Sequence, residues 1–167
     1  GLYRIKDNFL AFWFRYVYPY QSYLENGQTD YVMERIRSSF VQNYVSYVYE
    51  ELCRQRMWEL AAQGTWDFEI TKVGRYWGQA AGETDIVAYS PGGKGLVLGE
   101  CKYTETPEGL QTLHELQRKA DILPRLTGTA DVHYILFSGS GFTKGVQDEA
   151  ARNRKLTLID SLQKVTK

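Results

Sequence analysis

Two acidic residues and a lysine fall at the ends of two apolar stretches near the middle of the chain. Asp85 directly precedes the first stretch, whereas Glu100 and Lys102 end the second. With the two-residue period of a β-strand, Glu100 and Lys102 point to one face of a sheet and Cys101 points to the other. Charged groups at the ends of apolar strands are costly to bury unless they form pairs or bind a metal. These three residues are therefore the first candidates for a functional site.

The residue types allow two interpretations. Two carboxylates that meet from adjacent strand ends provide the oxygen ligands that a hard cation such as Mg²⁺ prefers, and such a cation also binds phosphate oxygens of a substrate. Lys102 beside them would orient an attacking water and stabilise the negative charge that develops on the phosphate. The alternative is a structural ion pair between Asp85 and Lys102, and the spacing along the chain leaves both interpretations open.

Turn signals and periodicity predict the elements that must position these residues. Residues 90–95 are rich in glycine, so the segments on either side are predicted to form a β-hairpin. Helices between buried strands imply parallel pairing, while the hairpin strands pair antiparallel. We therefore expect an α/β fold with a mixed sheet of about four or five strands flanked by helices. Besides the hairpin, strands are predicted over residues 66–73, 132–137 and 156–159, and helices over residues 107–123, ending at Pro124, and 142–152.

An aromatic segment near the N-terminus predicts a helix over residues 9–18 that Asp7 caps and Pro19 ends. The segment is too short to span a bilayer and contains Arg15, so no membrane partner is expected. Because its apolar side chains point in every direction, it is either a buried core helix or an interface for another domain.

A longer helix is predicted from Ser38 or Ser39 to about residue 62, and it carries two adjacent acids, Glu50 and Glu51. At about 100° per residue, Glu51 borders the apolar stripe of this helix and Glu50 lies nearly opposite it. Periodicity alone therefore favours Glu51 as the acid that faces the sheet. For either acid, a solvated helix face is the alternative.

Composition limits the function classes. The chain has 167 residues with 20 basic and 20 acidic side chains, so its net charge is zero and no overall positive field attracts it to nucleic acid. Such a contact would need a local basic patch. Cys53 and Cys101 match no metal-binding spacing, and we expect both to be reduced core thiols of a cytoplasmic protein. The chain starts at Gly1 without a leader sequence, so we expect a fragment of a longer protein.

The central motif resembles that of the PD-(D/E)XK nuclease superfamily. Thr84-Asp85 and Glu100-Cys101-Lys102 match its two halves, with Thr84 in place of the proline. The resemblance implies a restriction-endonuclease-like core in the order helix, three strands, helix, strand. It also implies hydrolysis of DNA phosphodiesters with Mg²⁺ or Mn²⁺ held by Asp85 and Glu100, while Lys102 positions the attacking water.

Further segments are similar to the nuclease-like domain at the C-terminus of prokaryotic, often archaeal, P-loop ATPases of the AAA+ or STAND type. That resemblance implies an ATPase module and a winged helix ahead of this region, with duplex DNA as partner, and it leaves a homo-oligomer open. It divides the chain into an N-terminal helical extension, residues 1–38, and a nuclease-like domain, residues 39–167. The similar segments are residues 7–15 with Pro19, 49–54, 74–77, 83–87 and 99–102.

Matching motif to motif places the superfamily's first-helix acid on Glu50, so the resemblance implies that Glu50 joins Asp85 and Glu100 as a metal ligand, directly or through water. Lys119 falls where related nucleases often have a residue that contacts phosphate or supports the site, although we expect a solvated lysine there. The alternative function is a catalytically idle nuclease fold that serves as a regulatory or protein-interaction domain of the ATPase. Zero net charge and the aromatic helix favour this alternative.

Overall fold

The computed structural model describes residues 5–78, 82–122 and 131–164. The chain divides into two compact units, one ending at Val48 and the other beginning at Tyr49. The first unit is helical, and the second contains the sheet together with all the acids and lysines that the sequence marks as site candidates. None of the helices in the described ranges is long and apolar enough to cross a bilayer.

The first unit consists of short helical segments. Asp7 caps the first of them as predicted, since its Oδ1 accepts a hydrogen bond from the Leu10 backbone N–H at 2.8 Å. Contrary to expectation, Pro19 does not end the helical path, because it lies at the start of a 3₁₀ turn, where the missing N–H of proline is tolerated. The segments are α1 (Asn8–Phe12), a π turn (Trp13–Val17), the 3₁₀ turn (Tyr18–Tyr20), α2 (Gln21–Glu25), α3 (Thr29–Arg37) and a second π turn (Val41–Val45).

The aromatic side chains of the first unit are largely exposed. Phe9, Phe14 and Tyr18 have exposed fractions of 67%, 50% and 60%, so of the two alternatives the buried core helix is wrong. Among the described residues of this unit only Tyr16 and Val32 are buried. The physical reason is that a helix with apolar side chains on every side needs neighbours on every side, and the short segments of this unit are too few to provide them.

The second unit is built around a sheet. The long helix that lies mostly in this unit begins at Ser46 instead of at Ser38 or Ser39, because the second π turn precedes it. The predicted end of the later helix, at Leu123 and Pro124, lies outside the described residues. The elements are α4 (Ser46–Ala62), β1 (Lys72–Gly78), β2 (Gly82–Tyr89), β3 (Leu96–Lys102), α5 (Leu110–Lys119), β4 (Val132–Ser138), α6 (Lys144–Arg152), β5 (Leu156–Asp160) and β6 (Gln163–Lys164).

The strands form one mixed sheet in the order β1 to β6. The strands β1, β2 and β3 pair antiparallel, β3, β4 and β5 pair parallel, and the two-residue β6 pairs antiparallel with β5. The predicted mixed sheet, its flanking helices and the order of helix, three strands, helix and strand are therefore confirmed.

One strand is displaced from its predicted position. The pattern predicts a strand over residues 66–73, whereas β1 begins at Lys72 and continues to Gly78. Its pairing runs from Lys72 opposite Tyr89 to Gly78 opposite Gly82. Pairing with β2 outweighs the low strand propensity of the glycines in β1, because strand formation depends on cross-strand neighbours more than on local preference.

Two apolar clusters cover the two faces of the sheet. Because alternate residues of a strand face opposite sides, Cys101 lies on the face covered by α4, and Glu100 and Lys102 lie on the face covered by α5 and α6. The cluster on the α4 face includes Cys53, Met57, Leu60, Ile86, Val97, Ile135 and Phe137. The cluster on the α5 face includes Leu96, Leu98, Leu113, Leu116, Leu136, Val146 and Leu158.

Candidate active site

The strands β2 and β3 separate at the residues that carry the acids. Their paired region ends with Ile86 opposite Gly99, just before Asp85. On its other side β2 contains a bulge, because one residue of β1, Arg75, stands opposite two residues of β2, Asp85 and Ile86. A bulge bends its strand and redirects the side chains. The carboxylate of Asp85 consequently reaches the end of β3 and takes part in its hydrogen bonding.

The side chain of Asp85 accepts a hydrogen bond from a backbone N–H of β3 for which β2 no longer provides an acceptor. Its Oδ2 accepts a hydrogen bond from the backbone N–H of Cys101 at 2.9 Å. Because β2 has diverged at this point, that N–H would otherwise lose its partner across the strands, at a cost of about 1–3 kcal/mol for a buried group. This bond fixes the orientation of the carboxylate and engages one of its two oxygens.

Glu100 is buried beside Asp85, with 7% of its surface exposed. Its Oε1 accepts a hydrogen bond from Lys119 Nζ, and its Oε2 lies 3.7 Å from Lys102 Nζ. Burial raises the pKa of Glu100 above its ordinary value, and the negative charge of Asp85 raises it further, while Lys119 and Lys102 lower it. The two carboxylates therefore repel each other across one small, partly desolvated region.

Lys119 belongs to this region, which the periodicity of the sequence alone does not indicate. Its Nζ donates hydrogen bonds to the backbone oxygen of Glu83 and to Glu100, so it bridges β2 and β3 where they separate. The side chain is only 21% exposed, and the expectation of a solvated lysine is wrong. The available signal was its place on α5, one turn after Leu116, which packs against the sheet.

Lys102 lies at the solvent-exposed rim of the site, with 39% of its side chain exposed. It pairs with Glu100, and among the residues that the structure describes no ion pair within 4.0 Å joins it to Asp85. The alternative interpretation of a closed structural ion pair between Asp85 and Lys102 is therefore not what the fold contains. An ammonium group at an open rim remains accessible to a substrate and to water.

The helix α4 brings Glu50 toward the sheet and directs Glu51 to solvent. The two side chains are 14% and 59% exposed, and Glu51 forms an ion pair with Arg54 at 2.9 Å. Periodicity favours the opposite orientation, because the apolar stripe that it predicts on this helix borders Glu51 and not Glu50. The buried stripe of α4 consists of Tyr49, Cys53, Met57 and Leu60, and Glu50 is adjacent to this stripe along the helix.

The thiol of Cys101 interacts electrostatically with Asp85 and with Glu50. Burial raises the pKa of its thiol, the neighbouring Cys53 raises it further, and the charges of Asp85 and Glu50 add to the shift. Both carboxylates consequently lie near this thiol. The two cysteines are free, as predicted, and the raised pKa of Cys101 makes its thiol a poor nucleophile and a poor metal ligand.

Two basic side chains of β1, Arg75 and Lys72, lie at different places along the strand. Arg75 lies opposite the bulge and its Nη1 is 3.5 Å from Glu83 Oε1. Lys72 lies at the other end of β1, where its Nζ is 5.8 Å from the centre of the Tyr89 ring. Positive charge near the acids therefore comes from Arg75, from the two lysines that contact Glu100, and from Arg54, whose Nη1 donates a hydrogen bond to the backbone oxygen of Asp85 at 3.5 Å.

The donors of the site fit a hard divalent cation. Two carboxylates that repel each other where water is partly excluded are stabilised by a cation between them. Among the residues that the structure describes, the carboxylate oxygens of Asp85, Glu100 and Glu50 do not all lie within 4.8 Å of one another. The three carboxylates are therefore not preassembled as a set of ligands. Glu50 comes from the α4 face and Glu100 lies on the α5 face, which explains why the three do not converge.

Known proteins match this chain over part of its length. Residues 13–118 match the family described as archaeal and bacterial proteins of unknown function, a range that includes Glu50, Asp85, Glu100 and Lys102. A relative, an uncharacterised protein of Methanocaldococcus jannaschii, is 34% identical over 105 residues. These residues cover 63% of this chain and 23% of the relative, so the chain spans less than a quarter of that protein's length.

Two solved structures resemble part of the fold. A repair endonuclease from Pyrococcus abyssi is similar with a TM-score of 0.41 and 17% identity, over 64% of this chain and 44% of that one. A protein of unknown function is similar with a TM-score of 0.45 and 17% identity, over 66% of this chain and 55% of that one. Both TM-scores lie below 0.5, so neither likeness indicates a function for this chain.

Proposed function

The chain belongs to the family of archaeal and bacterial proteins of unknown function, and we propose from the geometry of its own residues that it is a metal-dependent phosphodiesterase domain that cleaves DNA. The observation that carries the proposal is the opening between β2 and β3, where Asp85 and Glu100 repel each other and Lys119 and Lys102 contact Glu100. The match of Thr84-Asp85 and Glu100-Cys101-Lys102 to the nuclease motif supports the same conclusion.

Each residue of the site has a role in this proposal. Asp85 and Glu100 would hold Mg²⁺ or Mn²⁺, and Glu50 would support it through a water molecule, because it comes from the other side of the sheet edge. A bound divalent cation supplies charge that stabilises the phosphate and lowers the pKa of a bound water. Lys102, at the open rim, would hold the attacking water by donating a hydrogen bond.

Lys119 would keep Glu100 ready to act as a ligand. Metal ligands must be deprotonated, and burial together with Asp85 raises the pKa of Glu100. The ammonium groups of Lys119 and Lys102 oppose this rise, so they favour the ionised carboxylate. The bridge from Lys119 to the backbone of Glu83 would also hold β2 and β3 at a fixed separation.

Cleavage of supercoiled plasmid DNA in the presence of Mg²⁺ or Mn²⁺ tests the proposal. We expect the native chain to nick the plasmid, chelation of the metal to stop the reaction, and Asp85→Asn to abolish it. Glu51→Gln is the matched control, since it neutralises an exposed acid of α4 and should leave the rate unchanged. Equal activity or equal inactivity of the native chain and Asp85→Asn would contradict a catalytic role for the site.

A second candidate function is favoured by the exposed aromatic side chains of the first unit, Phe9, Phe14 and Tyr18. Contiguous exposed apolar surface is typical of protein-interaction sites. In this alternative the nuclease fold is idle and serves as a regulatory or docking domain. An inactive native chain, combined with loss of a partner contact in a Phe14→Ser variant, would favour it over catalysis.

We further propose the biological context that the sequence resemblance implies. The domain would be the C-terminal module of a larger cytoplasmic P-loop ATPase, with residues 1–38 as an extension and residues 39–167 as the nuclease-like domain, acting on duplex DNA. The small share of the relative that this chain spans, 23%, leaves room for such modules. ATP hydrolysis by the longer protein, measured with and without DNA, tests this context separately from the site.

A further inference from the structure

A second group of metal-binding residue types lies outside the proposed active site. One potential ligand atom from each of Asp67, Asp131 and His133 lies within 4.8 Å of the other two. Within the part of the chain that the structure describes, no other group of three histidine, cysteine or acidic side chains meets this distance. Asp67 lies between α4 and β1, Asp131 directly precedes β4, and His133 is the second residue of β4.

Two of these atoms already have the spacing of ligands on one ion. His133 Nε2 lies 3.1 Å from Asp131 Oδ2. Ligands at about 2.0–2.1 Å from a zinc ion are separated from each other by roughly 3 Å along an edge of the coordination polyhedron. A cation could therefore replace the proton that these two atoms share, without a large movement of either side chain.

Neighbouring side chains hold both ligands in place. Lys155 Nζ donates a hydrogen bond to Asp131 Oδ1 at 2.7 Å, so the bond engages the oxygen that faces away from His133. The ring of Phe68 packs edge-on against the imidazole of His133 at 5.2 Å. Outer contacts of this kind orient metal ligands and are a regular part of metal sites.

This group is separate from the acids of the proposed active site. In the ladder between β3 and β4, His133 stands opposite Val97 and Leu136 stands opposite Glu100. Three ladder positions correspond to roughly 10 Å along the strand. His133 also shares the α4 face with Val97, whereas Glu100 lies on the other face of the sheet. One ion cannot therefore use both groups.

We propose that Asp67, Asp131 and His133 form a second cation site, selective for a divalent transition ion of the Zn²⁺ class over Mg²⁺. An imidazole nitrogen with two carboxylate oxygens suits Zn²⁺, Mn²⁺ or Co²⁺, while Mg²⁺ prefers oxygen ligands alone. Three protein ligands leave at least one position to water. The bound ion would tie the segment between α4 and β1 to the start of β4.

Calorimetric titration of the whole chain with ZnCl₂ and, separately, with MgCl₂ tests the site. The variants are Asp67→Asn and His133→Gln, and the control is Asp85→Asn, which changes the proposed active site alone. We expect each of the two variants to weaken Zn²⁺ binding at this site by about tenfold or more, and Asp85→Asn to leave it unchanged. Magnetic resonance of the imidazole nitrogens should report a zinc-dependent shift of His133 in the control.

The outcomes separate this site from the proposed nuclease site. Asp67 is exposed on a connecting segment, so Asp67→Asn remains informative even if His133→Gln fails to fold. Zinc binding that persists in Asp67→Asn and His133→Gln but is lost in Asp85→Asn would overturn the proposal. The absence of any Zn²⁺ binding up to about millimolar concentration would overturn it as well, and would assign the three residues to an ion-pair network with Lys155.

Discussion

Replacing Lys119 with methionine measures how strongly the ion pair between Lys119 and Glu100 stabilises the fold. The Lys119–Glu100 pair has side-chain exposures of 21% and 9%. Removing one member of a fully buried pair costs about 3–5 kcal/mol, whereas an exposed pair contributes about 0–1 kcal/mol. This pair is closer to the buried case, but Lys102 remains 3.7 Å from Glu100 and compensates in part. We therefore expect Lys119→Met to lower the free energy of unfolding by about 2 kcal/mol.

Urea unfolding at neutral pH, with a chelator present and tryptophan fluorescence as the signal, measures this loss. Lys102→Met is the graded comparison, because its side chain is 39% exposed and lies farther from Glu100, so we expect about 0.5 kcal/mol. Lys94→Met, at an exposed residue of the hairpin connection, is the control and should change the free energy by less than about 0.5 kcal/mol. A smaller loss for Lys119→Met than for Lys102→Met would show that the burial of the Lys119–Glu100 pair does not determine how strongly it stabilises the fold.

Two further predictions concern the same strands. The pKa of Glu100, followed by magnetic resonance of its carboxyl carbon in metal-free protein, should lie above its ordinary value and should fall in Asp85→Asn. The pKa of Glu100 is higher in the folded state than in the unfolded state. The stability that Glu100 contributes is therefore fully present below its unfolded-state pKa and is lost as pH rises through its folded-state pKa. A pKa at or below the ordinary value would contradict this. Gly99→Ala should lower the free energy of unfolding by about 1–3 kcal/mol, because a Cβ at residue 99 would lie 2.7 Å from a side-chain carbon of Ile135. Gly74→Ala should lower it far less, because the space around a Cβ at residue 74 is open.

Much of the sheet was predictable because its signals are local. The alternation around Asp85 and Glu100, with a glycine-rich turn between them, identifies the hairpin, and buried apolar runs separated by helical patterns identify the parallel strands. The predicted position of β1 is wrong because Trp66 and Ile70 are buried although they belong to a connecting segment and not to a strand. Burial and strand pairing produce similar apolar patterns, so one sequence does not separate them.

The contacts of the candidate site were less predictable than its residues. The bulge opposite Arg75 and the bridge from Lys119 to Glu83 depend on pairing between segments distant in sequence, and no local pattern encodes them. The choice between Glu50 and Glu51 depended on which stripe of α4 packs on the sheet. Residue types reveal which chemistry is available, while the geometry that assembles it arises from long-range packing.

Anomalous diffraction from crystals of the chain soaked in Mn²⁺ would locate a metal ion at the proposed active site. We expect a manganese peak within ligand distance, about 2.1–2.2 Å, of a carboxylate oxygen from both Asp85 and Glu100, and we expect the peak to disappear in Asp85→Asn. A peak at Asp67, Asp131 and His133 would support the second site alone. Crystals without a manganese peak at Asp85 and Glu100 would contradict the proposal that this chain is a metal-dependent nuclease.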